Sequence, residues 1–454
     1  MKILVLDFYH FLKSKVLIVL LIFNLTLSAQ TNFRLPNGVS SDKIRFELAN
    51  NLIIIPVFIN GIELSFILDT GVGSTIIFSV DNKSSLELKN ASKIYLRGLG
   101  NGEPVEAIKS LNNQLSIGKA NSGNHKVYLI FDESINFSPR MGFPVHGIIG
   151  YDFFKDFVVD INYSKKYIKL SDPKTYKYKK CKKCYETNID FGNQKKRPVI
   201  TAKYLSKTKG LIDVRLLLDS GSGSSLWLFE NEEKGISIPD NTFRDFLGKG
   251  FNGDIYGEKT KIDEFKIGDF EMKNVTTSFP DSIYIQGISL QKRQGSLGGN
   301  VLRKFNLIVD YPHEKISFKK NKDFDKPFYY NMSGLSIQHV GFTVSAKNYD
   351  YEEKKTQAYL GLNEVVTKKT YQLANNFLLI PKYEISDIRD NSPADDIGLQ
   401  KGDIILKVNG REAYKFKLSE INNLFYSEEG KKIKMTVLRL GVKLNYEFYL
   451  KKVI

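Results

Sequence analysis

Cysteine is nearly absent: the 454 residues hold two, Cys181 and Cys184, in a Cys-Lys-Lys-Cys arrangement. A structural zinc site needs about four ligands, and neither a second pair nor a neighbouring histidine supplies them, so no metal is expected. A local disulfide is the expected state, since a redox motif would need a thioredoxin-like setting that the sequence lacks. Histidine is also scarce, and His125, His146, His313 and His339 stand apart, with no spacing suited to a metal or a Ser-His pair. Neither a phosphate-binding Gly-x-x-x-x-Gly-Lys nor a zinc-type His-Glu-x-x-His occurs. Acidic residues are outnumbered, 50 against 66 Lys and Arg, for a formal charge of +16. The lysines are scattered, without a compact basic motif interleaved with aromatics, so nucleic acid is not an expected partner. Long apolar runs are missing after residue 29, and no later segment reads as a membrane span.

The N-terminus is the exception. Lys2, Lys13 and Lys15 precede the apolar stretch from Val16 to Phe23, which continues to Leu27-Ser28-Ala29. A basic region, an apolar region and a small-residue site predict a signal peptide over 1–29, cut between Ala29 and Gln30. Export to a periplasm or the extracellular space follows, an uncleaved anchor being the alternative. The mature chain is long enough for two or three domains, and 42% apolar residues suffice for packed cores.

Two acidic triplets stand out, Asp69-Thr70-Gly71 and Asp219-Ser220-Gly221, 150 residues apart. Each follows a run that is first alternately and then continuously apolar, Ile62 to Leu68 and Ile212 to Leu218, as in a strand entering a core. An ionised Asp at such a strand end is costly unless solvated, paired or used. The same offset recurs downstream: Gly98 and Gly100 match Gly248 and Gly250, and Ile117-Gly118 matches Ile267-Gly268. After a two-residue contraction, Gly147-Ile148-Ile149-Gly150 pairs with Gly295-Ser296-Leu297-Gly298, Phe157 with Phe305, Tyr163 with Tyr311 and Ile168 with Ile316. One unit occurs twice, as a duplicated lobe and not a solenoid.

An Asp-Thr/Ser-Gly triplet followed about 80 residues later by two apolar residues and a Gly, all of it duplicated, resembles the aspartic proteases. The wording Asp69-Thr70-Gly71-Val72-Gly73-Ser74-Thr75-Ile76-Ile77 is most similar to the retropepsin subgroup, with both halves in one chain as in pepsin-like enzymes. Ser296 departs from the second apolar-apolar-Gly motif. The resemblance covers about residues 45–320 and implies a mainly β, bilobal acid-protease fold. In it Asp69 and Asp219 form a catalytic dyad that shares a proton, because like charges at contact distance cannot both ionise easily. Thr70 and Ser220 would brace the two triplet loops, Gly71 and Gly221 would permit their approach, and no cofactor is needed. The glycine-rich segments Gly98-Leu99-Gly100 and Gly248-Lys249-Gly250-Phe251 would be hairpin tips over the cleft. Val72 in one lobe faces Ser222 in the other, so the Ser222 hydroxyl is expected to favour ionisation of Asp219. Trp227 and Phe229 read as core or pocket wall.

The first lobe is expected at 45–171, a basic linker at 172–196 and the second lobe at 197–320, with a further linker around Pro327. Beyond it, Ser392-Pro393-Ala394-Asp395-Asp396-Ile397-Gly398-Leu399 encodes a short capped helix. Gly402-Asp403, an apolar strand and Asn409-Gly410 follow. This order resembles a PDZ domain, at 334–454 and clearest from 383, which implies a peptide ligand added as a strand to a sheet edge. The expected whole is an aspartic endopeptidase acting on protein or peptide, with a PDZ-like module that docks substrate or partner independently of the chemistry. The alternative is a non-catalytic peptide-binding or scaffold protein retaining the protease fold.

Overall fold

A computed structural model describes residues 32–78, 86–96, 102–132, 135–192, 196–250, 252–346, 351–359, 365–373 and 377–454, with the backbone alone over 345–378. The 1–29 segment and Gly98, Leu99, Gly100 and Phe251 lie outside the described residues.

The chain is mainly β, and its helices are short. The continuously apolar strand ends need burial on both faces, and they receive it. Phe66, Ile67 and Leu68 are buried, as are Leu216, Leu217 and Leu218. In the first lobe Ile62–Leu68 lies between Leu52–Ile59, antiparallel to it, and Gly147–Ile149, parallel to it, within an eight-stranded sheet. In the second, Gly210–Asp219 lies between Val199–Ser206 and Gly295–Gly298 within a seven-stranded sheet. Each sheet curls back on itself, Phe58 opposite Ser116 in one and Lys203 opposite Lys266 in the other. The duplication read from the sequence is thus two sheets of one topology. A four-residue helix follows each apolar-apolar-Gly strand, Tyr151–Phe154 and Gly299–Leu302.

A third, six-stranded antiparallel sheet joins the lobes. Its central strands, Val158–Asn162 and Phe305–Asp310, come one from each lobe, with Val159 opposite Val309. The last part of the basic connection joins this sheet, while residues 177–183 remain exposed. Cys184–Asn188 forms its edge, the Tyr176 hydroxyl donates to Asp160 Oδ1 at 3.2 Å, and the Tyr178 hydroxyl donates to the buried Asp310. Cys181 and Cys184 are disulfide-bonded at the start of that edge.

The C-terminal module is a sheet of Leu335–Ala346, Phe377–Ile388, Ile404–Val408, Lys432–Arg439 and Val442–Tyr449, with helix Leu418–Phe425 covering its own apolar core. Ser392 caps the short helix Pro393–Asp396 by accepting from the Asp395 amide, as the sequence pattern requires. The segment around Pro327 differs from a loose linker. Phe324, Phe328 and Tyr330 are buried, and the buried Lys304 ammonium donates to the carbonyls of Asp323, Phe324 and Lys326. Three carbonyl acceptors make that burial tolerable, although it pushes the Lys304 ammonium down to about 8. The module also rests on the second lobe. Phe243 packs against the module core, its ring 5.3 Å from that of Tyr330 and 4.3 Å from the Arg389 guanidinium.

This contact is expected to couple the unfolding of the module to that of the lobes. A single calorimetric unfolding transition is the expected result, and Phe243→Ala should lower stability by about 2 kcal/mol. Two well-separated transitions in the unsubstituted protein would contradict the coupling.

Candidate active site

Each triplet lies where an apolar strand leaves its sheet. The Asp69 amide donates to Ile149 O at 2.9 Å, so the apolar-apolar-Gly strand fixes the height at which the first triplet emerges. In the second lobe Asp219 itself stands opposite Gly298. The two triplets then meet. Thr70 Oγ1 donates to Leu218 O at 2.7 Å and accepts from the Ser220 amide at 3.0 Å. Ser220 Oγ donates to Leu68 O at 2.8 Å and accepts from the Thr70 amide at 3.0 Å. Both hydroxyls are buried and both are spent on the opposite lobe. This reciprocal set brings together all six residues singled out at the triplets.

The carboxylates converge on one point. A Cβ on Gly71 would lie 3.3 Å from Asp69 Oδ1 and 3.4 Å from Asp219 Oδ1, and the Gly71 amide donates to Asp69 Oδ1 at 2.7 Å. Gly221 is closer still. A Cβ there would come within 2.2 Å of Asp69 Oδ2, so only glycine fits beside the opposite carboxylate. Burial, and then the facing Asp219 charge, push the Asp69 carboxyl up to about 7. Burial also raises Asp219, but the Arg293 guanidinium, the Gly221 and Ser222 amides and Arg197 oppose it. The Arg293 charge thus makes Asp219 the more readily ionised member of the pair and Asp69 the one that holds a proton more tightly.

The expected asymmetry exists, with a different cause. Ser222 acts on the Asp219 carboxylate through its backbone amide, while its hydroxyl accepts from the Ser224 amide at 3.4 Å. The cation comes from Arg293, buried and held by Gly295 O at 2.8 Å and by the Ser296 hydroxyl. Ser296, the departure from the second apolar-apolar-Gly motif, is thus the acceptor that lets a guanidinium be buried below the dyad. An Arg three positions ahead of that departure was the available sequence signal. A second asymmetry escaped the sequence. The Tyr311 hydroxyl donates to Thr70 O at 2.8 Å, whereas that of its repeat partner Tyr163 is buried without a hydrogen bond among the described residues.

Of the proposed hairpin-tip residues, Gly248 and Gly250 lie in Phe243–Gly250, which pairs with Gly253–Ile267. The matching hairpin of the first lobe is Ser92–Leu96 with Val105–Ile117. The two hairpins touch: the Gly102 amide donates to Asn252 O at 2.7 Å, and Asn252 Nδ2 returns to Glu103 O at 2.5 Å. Trp227 and Phe229 pack with Leu247 and Ile255 in an apolar cluster between the second-lobe hairpin and its sheet. Among the described residues no group of three or more His, Cys, Asp or Glu is placed to hold a metal ion.

Thr70→Val keeps shape but deprives Leu218 O and the Ser220 amide of their partner. Urea unfolding should show a loss of about 2–4 kcal/mol, and a loss below half of one would mean the reciprocal bonds do not hold the lobes together.

Residues 55–153 match the family model for aspartyl proteases, and residues 384–439 match that for PDZ domains. No curated protein matches the chain. Among solved structures it is similar to the crystal structure of an aspartic proteinase from Irpex lacteus, 10% identical with a TM-score of 0.38, over 63% of this chain and 99% of that one. The chain thus carries an aspartyl protease domain over residues 55–153, in a bilobal β fold, followed by a PDZ domain over residues 384–439.

Proposed function

We propose that the protein is an aspartic endopeptidase, hydrolysing peptide bonds with a water activated between Asp69 and Asp219. The observation that carries this reading is the pair of half-buried carboxylates that converge beside Gly71, both raised, with Arg293 favouring ionisation of Asp219. With Asp219 ionised and Asp69 protonated, Asp219 takes a proton from the attacking water while Asp69 donates its proton to the carbonyl oxygen of the scissile bond, giving a tetrahedral diol. The proton gained by Asp219 then passes to the amide nitrogen as the C–N bond breaks, and Asp69 regains one from the diol hydroxyl. Each carboxyl ends in its starting state.

The PDZ domain fits a role in docking substrate or partner, because remote binding raises capture more than bond breaking. Export is part of the proposal. It rests on the basic and apolar pattern of residues 1–29, and the paired Cys181 and Cys184 suit an oxidising compartment.

Cleavage of a peptide library across pH by the mature protein tests the reaction. Asp69→Asn and Asp219→Asn should each remove nearly all turnover with the fold retained, since neither carboxyl can do both tasks. A folded variant cleaving at near wild-type rate would overturn the dyad. Arg293→Gln should move the acid limb of the pH-rate profile upward, because Asp219 loses the cation that favours its ionisation; an unmoved limb would remove Arg293 from the electrostatics. The same chemistry has a stability signature. A carboxyl raised from 3.8 to about 7 holds its proton more tightly when folded, so its contribution is full below about 4 and is lost as pH rises to about 7. Asp69→Asn should therefore gain on the wild type between pH 4 and 8, by an amount on the order of 4 kcal/mol. Parallel Tm profiles of the two would contradict the raised value.

A further inference from the structure

The module's strand Leu335–Ala346 pairs on one side with Phe377–Ile388 and has no strand on its other side among the described residues. Helix Leu418–Phe425 packs beside it, and an extended peptide adds to a PDZ domain along such a strand edge. Here the seam already has an occupant from the same chain. The helix Ser138–Met141 of the first lobe packs against both the strand and the helix. Gly142, which ends that turn at φ +76°, comes so near that a Cβ on it would lie 2.6 Å from Leu418 Cβ. Lys417 Nζ, at the head of the module helix, reaches Glu47 Oε1 of the first lobe at 3.2 Å.

The occupant is tied to the second-lobe hairpin. The Arg140 guanidinium lies 4.2 Å above the Phe246 ring and 3.9 Å from Asp254 Oδ1, both on that hairpin. The Asp387 carboxylate of the module acts on the same cation. Behind it, Lys259 pairs with Asp245 at 2.6 Å, beneath Arg389 and Tyr426 of the module. Arg140 thus joins the first lobe, the second-lobe hairpin and the module. That hairpin bonds to its counterpart through Gly102 and Asn252, and on the protease reading the pair would open to admit a peptide.

We propose that residues 137–142 are an internal ligand of the module, and that an extended peptide docking along Leu335–Ala346 displaces them and releases the second-lobe hairpin. The internal ligand competes at the high effective concentration of a tethered segment, so an external peptide binds more weakly than the empty seam would allow. Release removes the Arg140 contact to Phe246 and Asp254 and lowers the cost of opening. The occupancy stands on geometry alone; only its consequence for cleavage rests on the protease reading.

The test uses the full mature chain, the variants Arg140→Ala and Asp387→Asn, which loosen the contact from its two sides, and a labelled synthetic peptide copying residues 136–145. Fluorescence anisotropy should show the peptide binding Arg140→Ala about five-fold or more tighter than the wild type, whereas Asp387→Asn, which weakens the internal and the external copy alike, should bind it about as the wild type does. Hydrogen exchange of the 243–260 amides should be faster in both, with that of 432–449 unchanged. Equal affinity of Arg140→Ala and the wild type overturns the internal ligand, and unchanged exchange over 243–260 overturns the coupling to the hairpin. Hydrolysis of a short peptide should rise several-fold in both variants. If binding and exchange change as stated while no form of the protein cleaves, the latch stands and the protease reading falls.

Discussion

Four hydrogen bonds between Thr70 and Ser220 and the opposite strand ends hold the two lobes at one fixed separation. The rest of the site depends on that separation. Each hydroxyl both donates and accepts, so neither triplet can shift without stranding buried backbone groups. Because the bonds cross between lobes, they set the relative position of two carboxylates that belong to different sheets. Tyr311 adds a fifth tie, to Thr70 O, from the turn between Phe305–Asp310 and Lys315–Lys320 of the sheet that joins the lobes.

Fixing the half-buried carboxylates close together makes full ionisation expensive, and the surrounding charges favour ionisation of one over the other. The two lobes share a topology but not an electrostatic environment. Arg293, accommodated by Ser296, stands on the Asp219 side. The corresponding apolar-apolar-Gly strand on the Asp69 side has Ile148 in that place. A duplicated scaffold thus acquires unlike partners through one buried cation and its acceptor, which is a small change in sequence and a large one in local charge.

The module is not suspended from a flexible tether. Lys304 fixes the connecting segment, Phe243 enters the module's core contacts, and Arg140 meets elements from all three parts of the molecule. Residues 137–142 lead directly toward Gly147–Ile149, the strand that carries the Asp69 amide. Events at the module therefore have a short physical route to both the hairpin and the triplet.

Much of this was written locally in the chain. The duplication, the triplets, the apolar strand ends and the Ser-Pro-Ala helix signal are matters of spacing and residue type, and these dictate strands that end in an acidic turn wherever the chain is placed. The mainly β class was legible for that reason, and the pairing of Asp69 with Asp219 was what the resemblance to the aspartic proteases implied. The source of the dyad's asymmetry was not, because Arg293 is 74 residues from Asp219 and acts only once parallel pairing lays Gly295–Gly298 beside Gly210–Asp219. The basic connection and the Pro327 segment read only as linkers, because the groups that hold them lie far away in sequence. Only the folded chain shows Tyr176, Tyr178, Phe324 and Phe328 committed to distant partners. Residue type and periodicity determined what each segment is; contacts between residues far apart in sequence decided which carboxyl ionises more readily and how the module meets the lobes.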